Sequence, residues 1–263
     1  MTSLKLDIDD VVSPAHPNIR RIDPADLRNA LAKGLDDFMA MPTFSFFLVG
    51  VYPVIGLTLF WLTFGLDMMQ LAFPLIAGFA LIGPLAAIGL YELSRRREQG
   101  LDISLAALKD IHLPCLRAIT ALGIVLMAIF IVWLAAAMAV YRMSFGDWIP
   151  PSIAEFAHQV FSTPAGWFLI IVGCGVGSIL AVLAFTISVV SVPMLLDRDV
   201  GFVTAVETSV RAVMENPYTM ALWGLIVAAA LIVGSLPFLI GLAVVFPILG
   251  HSTWHLYRAV VET

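Results

Sequence analysis

Five stretches of this chain contain no aspartate, glutamate, lysine or arginine: Phe38 to Leu66, Met68 to Tyr91, Ala118 to Tyr141, Phe156 to Leu196 and Asn216 to Tyr257. A helix needs about 20 apolar residues to cross about 30 Å of hydrocarbon, so each of the first three stretches holds one crossing. The last is too long for one, and Gly234, Ser235, Leu236 and Pro237 divide it. The fourth opens with a loop and then runs uncharged from Pro164 to Leu196, which reads as one long, tilted helix. The expectation is an all-α polytopic membrane bundle with crossings near 43–65, 70–93, 116–141, 165–195, 218–235 and 237–257. Composition agrees, since 60% of the residues are hydrophobic and 13% charged, against about half and a quarter in soluble domains.

The basic residues fix an orientation. In a six-crossing arrangement Lys5, Arg20, Arg21, Arg28, Lys33, Arg95, Arg96, Arg97, Lys109, Arg117, Arg198, Arg211 and Arg258 fall on one side and only Arg142 on the other. By the positive-inside rule both termini are expected in the cytoplasm. The first stretch of chain is polar and lacks an apolar h-region, so no signal peptide is expected. Residues 1–22 read as a loose cytoplasmic tail ahead of one membrane domain over 23–263. Cys115 and Cys174 lie at different depths, too far apart for a disulfide, and read as small apolar residues.

Residues 27–42 align on residues 202–217, matching Ala30, Met39 and Pro42 with Ala205, Met214 and Pro217. Leu27, Leu31, Leu35 and Phe38 fall on Phe202, Val206, Val210 and Val213, one helical stripe in each copy. The opposite faces carry Arg28, Lys33, Asp36 and Asp37 in one copy and Glu207, Thr208, Arg211 and Glu215 in the other. Both segments read as amphipathic helices lying in the cytoplasmic interface, each ended by a proline where the chain turns to cross. Pro84, Leu93 and Arg95 also align with Pro247, Leu256 and Arg258, and a weaker copy runs from Leu101 to Pro114 with Leu105, Leu108 and Ile111. Three parallel repeat units follow, about 23–95, 101–195 and 201–258. Asp23, Pro24 and Asp26 mark the start of the first helix. Between Arg142 and Thr163 lies the long external loop, with Trp148, Pro150, Pro151 and a short helix carrying Ile153, Phe156, Val160 and Phe161. It is the best external candidate for a partner surface.

His251 and His255 are one turn apart on a helix face, a spacing that can serve a metal, with His112 the only third ligand on the same side. A zinc site wants three or four ligands, and the metalloprotease pattern has Glu where this chain has Ser252. The expectation is no metal and no cofactor, with the histidines as polar residues at the membrane edge inside a collar of Trp254, Tyr257 and Arg258. His16 and His158 lie elsewhere. Glu92 is the deepest carboxylate, beside Arg95 and Arg96, and is read as a salt-bridged or solvated helix terminus; no proton relay is visible, and no catalytic set. Gly173 and Gly177 give a small-xxx-small face for close helix packing. Arg95, Arg96 and Arg97 would attract anionic lipid headgroups. Pro84 and Pro247 kink matching helices, shaping the bundle or lining a cavity with freed carbonyls.

The DPADLRNALAKGLDDF entry, the GPLAAIGLYELSRRREQG segment and the repeated helix-then-proline entries resemble a bacterial family of predicted six-span integral membrane proteins without assigned function. The resemblance extends over about residues 20–260. Members are sometimes labelled cytochrome c oxidase subunit I-like, a label that would need midplane histidines for haem and copper, which this chain lacks. A fainter similarity is to the membrane region of glycerophosphodiesterases, without their catalytic domain. The expected function is therefore non-catalytic: an accessory subunit or assembly scaffold in the bacterial inner membrane, in contact with lipids, other integral membrane proteins or a second copy of itself, and not with nucleic acid. The alternative is a passive or facilitated transporter of a small neutral or lipid-like solute along a path lined by Pro84 and Pro247.

Overall fold

A computed structural model describes residues 17–41, 69–79, 81, 83–103, 113–236 and 241–262, together with Thr58 and Trp61. The regular elements among them are helices, and a single β-bridge joins Ile19 to Val261. α1 (Pro24–Ala40) starts as its sequence dictates. The Asp23 carboxylate accepts from the Ala25 and Asp26 N–H groups, Asp26 accepts from the Asp23 N–H in return, and Pro24 stands where no N–H is needed. A 3₁₀ turn (Met69–Leu71) leads into α2 (Ala72–Phe79), α3 (Gly83–Ala86) and α4 (Ile88–Glu98). Then come α5 (Leu113–Phe145), α6 (Ile153–Ser162), α7 (Pro164–Ser188), α8 (Ser191–Asp197), α9 (Phe202–Glu215), α10 (Pro217–Ser235) and α11 (Leu242–Val260).

The chain is an all-α membrane bundle. Among the described residues, Cys115–Phe145, Pro164–Asp197 and Pro217–Ser235 are long and apolar enough to cross. The crossing expected near 43–65 lies outside the described residues. The one expected near 70–93 is described as the helices α2 to α4, with a turn at Ala87 between α3 and α4. The break expected at Gly234 to Pro237 is found in part: α10 stops at Ser235 and α11 resumes at Leu242, with Pro247 inside it.

The long helix expected over 165–195 is found as one crossing, Pro164–Asp197, with a local break: α7 ends at Ser188 and α8 restarts at Ser191. Pro193 cannot donate to the carbonyl one turn earlier. Beside it, the Ser209 hydroxyl of α9 donates to the Thr186 carbonyl at 2.7 Å and accepts from the Val190 N–H at 3.2 Å, standing where the helix's own 186-to-190 bond would be. An inserted side chain of this kind is a recognised cause of a helix break. Ser191 completes the junction: its hydroxyl donates to the Ile187 carbonyl at 2.5 Å and lies 3.1 Å from the Ala205 carbonyl of α9.

The small-residue face expected on α7 is used at one of its two glycines. A Cβ on Gly177 would lie 2.5 Å from the Trp133 ring of α5, whereas one on Gly173 would meet nothing within 4 Å. The same indole also packs on Gly78 of α2 and donates to the Pro74 carbonyl at 2.8 Å, so Trp133 wedges three helices together. Gly177→Ala is expected to destabilise the bundle by about 1–3 kcal/mol through overpacking, with Gly173→Ala near neutral. Melting temperatures in detergent test this, and equal values for the two variants would refute it.

α1 does not lie free in the interface. It runs along α11 in the most extensive contact between any two described helices. Its buried face is Leu27, Ala30, Gly34, Asp37 and Phe38, while Leu35 of the expected apolar stripe is 48% exposed. Gly34 sets the approach, since a Cβ there would fall 2.0 Å from Ser252 Oγ and 2.6 Å from the Ser252 backbone nitrogen. The chain before α1 is also no loose tail where it is described. The Ile22 N–H donates to Asn216 at 2.8 Å, the Arg20 N–H to the Val260 carbonyl at 2.8 Å and the Glu262 N–H to the Asn18 carbonyl at 3.1 Å. Residues 18–22 thus form a strap joining the last helix to the α9–α10 corner.

Candidate functional site

The glycine contact brings α1 and α11 close enough for their polar residues to meet over α4. Asp37 of α1 is 3% exposed and is the hub. Its Oδ2 accepts from Ser94 Oγ of α4 at 2.6 Å and from His255 Nε2 of α11 at 2.8 Å, while its Oδ1 accepts from Arg97. Arg97 also reaches Asp36 at 2.8 Å. The hydroxyl of Ser94 donates to Asp37, and its oxygen also lies 2.8 Å from His251 Nδ1. His251 and Ser94 are sealed at 0% and 1% exposure. Three helices are thereby joined in one chain, His251 to Ser94 to Asp37 to His255, closed by Arg97.

A second set of ion pairs borders this clasp. Glu92 is held by a fork from Arg95, both bonds 2.8 Å, and by Arg96 Nε at 2.8 Å. Glu98 accepts from Trp254 Nε1 at 2.9 Å and pairs with Arg258 at 3.2 Å; Arg258 reaches on to Asp197, which also accepts from the Tyr257 hydroxyl at 2.7 Å. Every residue from Glu92 to Glu98 except Leu93 is polar, and each of these six side chains is hydrogen-bonded within the protein.

Burial pushes the Asp37 carboxyl up, but the hydrogen bonds from His255, Ser94 and Arg97 outweigh it and hold the group at about 2, below its ordinary 3.8. A carboxyl lowered on folding stabilises fully above its unfolded value, and that contribution fades as pH falls through the folded one. The clasp is therefore expected to lose on the order of 2 kcal/mol as pH falls from about 4 to below about 2. Melting temperature against pH checks this, read as the difference between the native chain and Asp37→Asn; a difference that stays constant across the window would refute it.

The sequence-expected site residues are redistributed. His251 is buried and His255 half-buried against α1 and α4, and Trp254 and Tyr257 of the expected collar are each 1% exposed with rings 5.5 Å apart. The reason is α1, which packs along this face of α11. His112 lies outside the described residues, among which no group of three or more His, Cys, Asp or Glu could hold a metal. Glu92 is salt-bridged. Arg95, Arg96 and Arg97, read as lipid contacts, each hold a protein carboxylate, with side chains 23%, 11% and 34% exposed. Pro84 lies in α3, and Pro247 is buried within α11; a Cβ on Gly83 would stand 3.6 Å from the ring of Phe246, so the two proline-bearing segments are neighbours. Asp37 and Ser94 escaped sequence reasoning. Two signals pointed to them: a glycine inside an amphipathic helix, which marks close approach, and a histidine pair whose helix face needs polar company.

Chemically the clasp is saturated. The Ser94 proton is given to a carboxylate, its oxygen is occupied, and neither the depression at Phe145 and Trp148 nor the groove at Ile119 and Ile131 is lined by any of these groups. The geometry fastens helices and presents no nucleophile.

Residues 72–197 match a family model. Its description is predicted integral membrane protein (DUF2189). The DUF2189 match agrees in kind with the family resemblance and covers less of the chain than the 20–260 over which the resemblance extends. It includes the clasp residues of α4 and Asp197 of α8, while Asp37, His251 and His255 come from the flanks on either side. No curated protein and no solved structure matches the chain.

Proposed function

We propose that the chain is a non-catalytic integral protein of the bacterial inner membrane, an accessory subunit or assembly scaffold, with both termini cytoplasmic. The observation that carries this reading is the contrast between the end of the bundle and its flanks. At the end, the groups capable of chemistry are consumed in pairs with one another. Along the flanks, the crossing windows of α5 and α7 are only 11% buried, leaving an apolar surface that includes Ile124, Ile131, Ile171, Ile179 and Val182. Such a surface suits lipid or the helices of other membrane proteins, whose association rests on packing rather than charge. The parallel-repeat reading is supported by the way α1 packs on α11 while α9, its aligned counterpart, packs on α7 and α8. Purification from native membranes in mild detergent tests the proposal: a protein partner at fixed stoichiometry is expected, and a chain that carries lipid alone would overturn it.

One observation favours transport as the second reading. An open groove of about 590 Å³ on the flank is lined by Leu85, Ile88, Ile119, Gly123, Met127 and Ile131, next to Pro84. Its walls are almost wholly apolar, as a path for a neutral or lipid-like solute would be. If that reading holds, Pro84→Ala with Pro247→Ala abolishes solute flux in proteoliposomes while the melting transition survives. A scaffold shows no flux to lose.

A further inference from the structure

We propose that the pocket at the far end of α5, away from the clasp, binds an organic ammonium group. α5 is 33 residues long, about 50 Å of helix, so this pocket and the clasp lie at opposite ends of the bundle. The pocket is an open depression of about 600 Å³ lined by Phe145, Trp148, Pro151, Ser152, Glu155 and Gln159.

Its walls are held in place before any ligand arrives. The Tyr141 hydroxyl donates to the Trp148 carbonyl at 2.8 Å, and the Tyr141 ring touches both Phe145 and Phe156, with centroids 5.5 and 6.3 Å away. Phe145 and Trp148 stand 5.5 Å apart and tilted by 43°. Gly146, at φ +64°, makes the turn that brings them together, a conformation other residues rarely adopt. Opposite the rings, Ser152 caps α6 by accepting from the Glu155 N–H at 3.1 Å. Glu155 occupies the position from which a capping-box carboxylate would reach back to the cap, yet it accepts from Gln159 Nε2 at 2.9 Å instead.

The lining carries one ionisable group, Glu155, and two aromatic rings. Aromatic faces attract cations through their quadrupole, and a carboxylate adds a charge of the right sign. An anion would be repelled, and a neutral apolar ligand would strip water from Glu155 and Gln159 without replacing it. The nearby guanidinium of Arg142 is outside the lining and lies 3.8 Å from Asp147. Glu155 also offsets the positive end of α6, so its net pull on a cation is reduced and the rings supply the rest. Choline- and ethanolamine-type groups have the right chemistry, whether on a lipid headgroup or on a soluble amine. The exposed Ile153 and Phe161 place α6 where either source would reach it.

The test is equilibrium dialysis of labelled choline against the full chain in a neutral detergent. Saturable binding is expected, with no displacement by 3,3-dimethyl-1-butanol, the neutral isostere. Glu155→Gln should weaken it about tenfold, the equivalent of one charged contact, without changing the melting temperature. Absence of saturable binding, equal displacement by the neutral isostere, or undiminished binding to Glu155→Gln would overturn the proposal. Repeating the measurement in nanodiscs separates the sources, with binding to empty discs subtracted. Phosphatidylethanolamine discs that suppress choline binding, where phosphatidylglycerol discs do not, identify a lipid headgroup as the occupant; equal binding in both identifies a soluble amine.

Discussion

Gly34→Ala is expected to prise α1 away from α11. The added methyl would sit 2.6 Å from the Ser252 nitrogen and 2.8 Å from its Cα, so backbone and not a pliable side-chain tip blocks it. Overpacking costs about 1–3 kcal/mol where neighbours can shift, and here the neighbour is the axis of a helix, which puts the effect near about 3 kcal/mol. Asp37 lies one turn beyond Gly34, so the displacement also stretches its 2.8 Å contact with His255. Hydrogen exchange over residues 24–40 should accelerate and the melting temperature should fall. A variant with native exchange and native melting would show that the contact is not as tight as the geometry has it.

Asp37→Ala should be the most damaging polar substitution in the protein. Arg97, Ser94 and His255 all donate to that one carboxylate, and its removal leaves a guanidinium facing Asp36, a buried hydroxyl with His251 beside it and a half-buried imidazole without this acceptor. Breaking a buried charged pair from one side costs about 3–5 kcal/mol. A double-mutant cycle with His255→Ala isolates the direct bond, and a coupling above about 0.5 kcal/mol is expected for residues in one network. Additive losses would mean that the two side chains do not share a proton at all.

The helical, membrane-embedded character of the chain was legible because uncharged stretches long enough to cross allow little else. The start of α1 was equally legible, since Asp23, Pro24 and Asp26 act within a single turn and need no distant partner. The clasp was not. Asp37 beside Asp36 reads as part of a solvated face, and only His255, 218 residues away, makes it an interior residue. Ser252 shows the same limit from the other side. In the sequence it argued against a metalloprotease motif; in the fold it is the floor on which Gly34 rests. The repeat alignment depended on apolar stripes, whereas the helices pair through small residues, Gly34 on α1 and Ala205, Ser209 and Ala212 on α9, which leave little hydrophobic signal. The break between α7 and α8 had Pro193 as its local warning, but the hydroxyl that completes it comes from another helix.

The strap and the α1–α11 contact impose an order on biogenesis. Of the described helices, α1 leaves the ribosome first and α11 last, so the clasp closes only after the intervening helices have been made and inserted. Throughout that interval α1 carries a bare glycine face and a carboxylate with no histidine to meet it. An unfinished or mistranslated chain would stay in that state, open to the proteases and chaperones that act on incompletely packed segments. Closure of Asp37 onto His255 therefore needs both ends of the described fold in place at once.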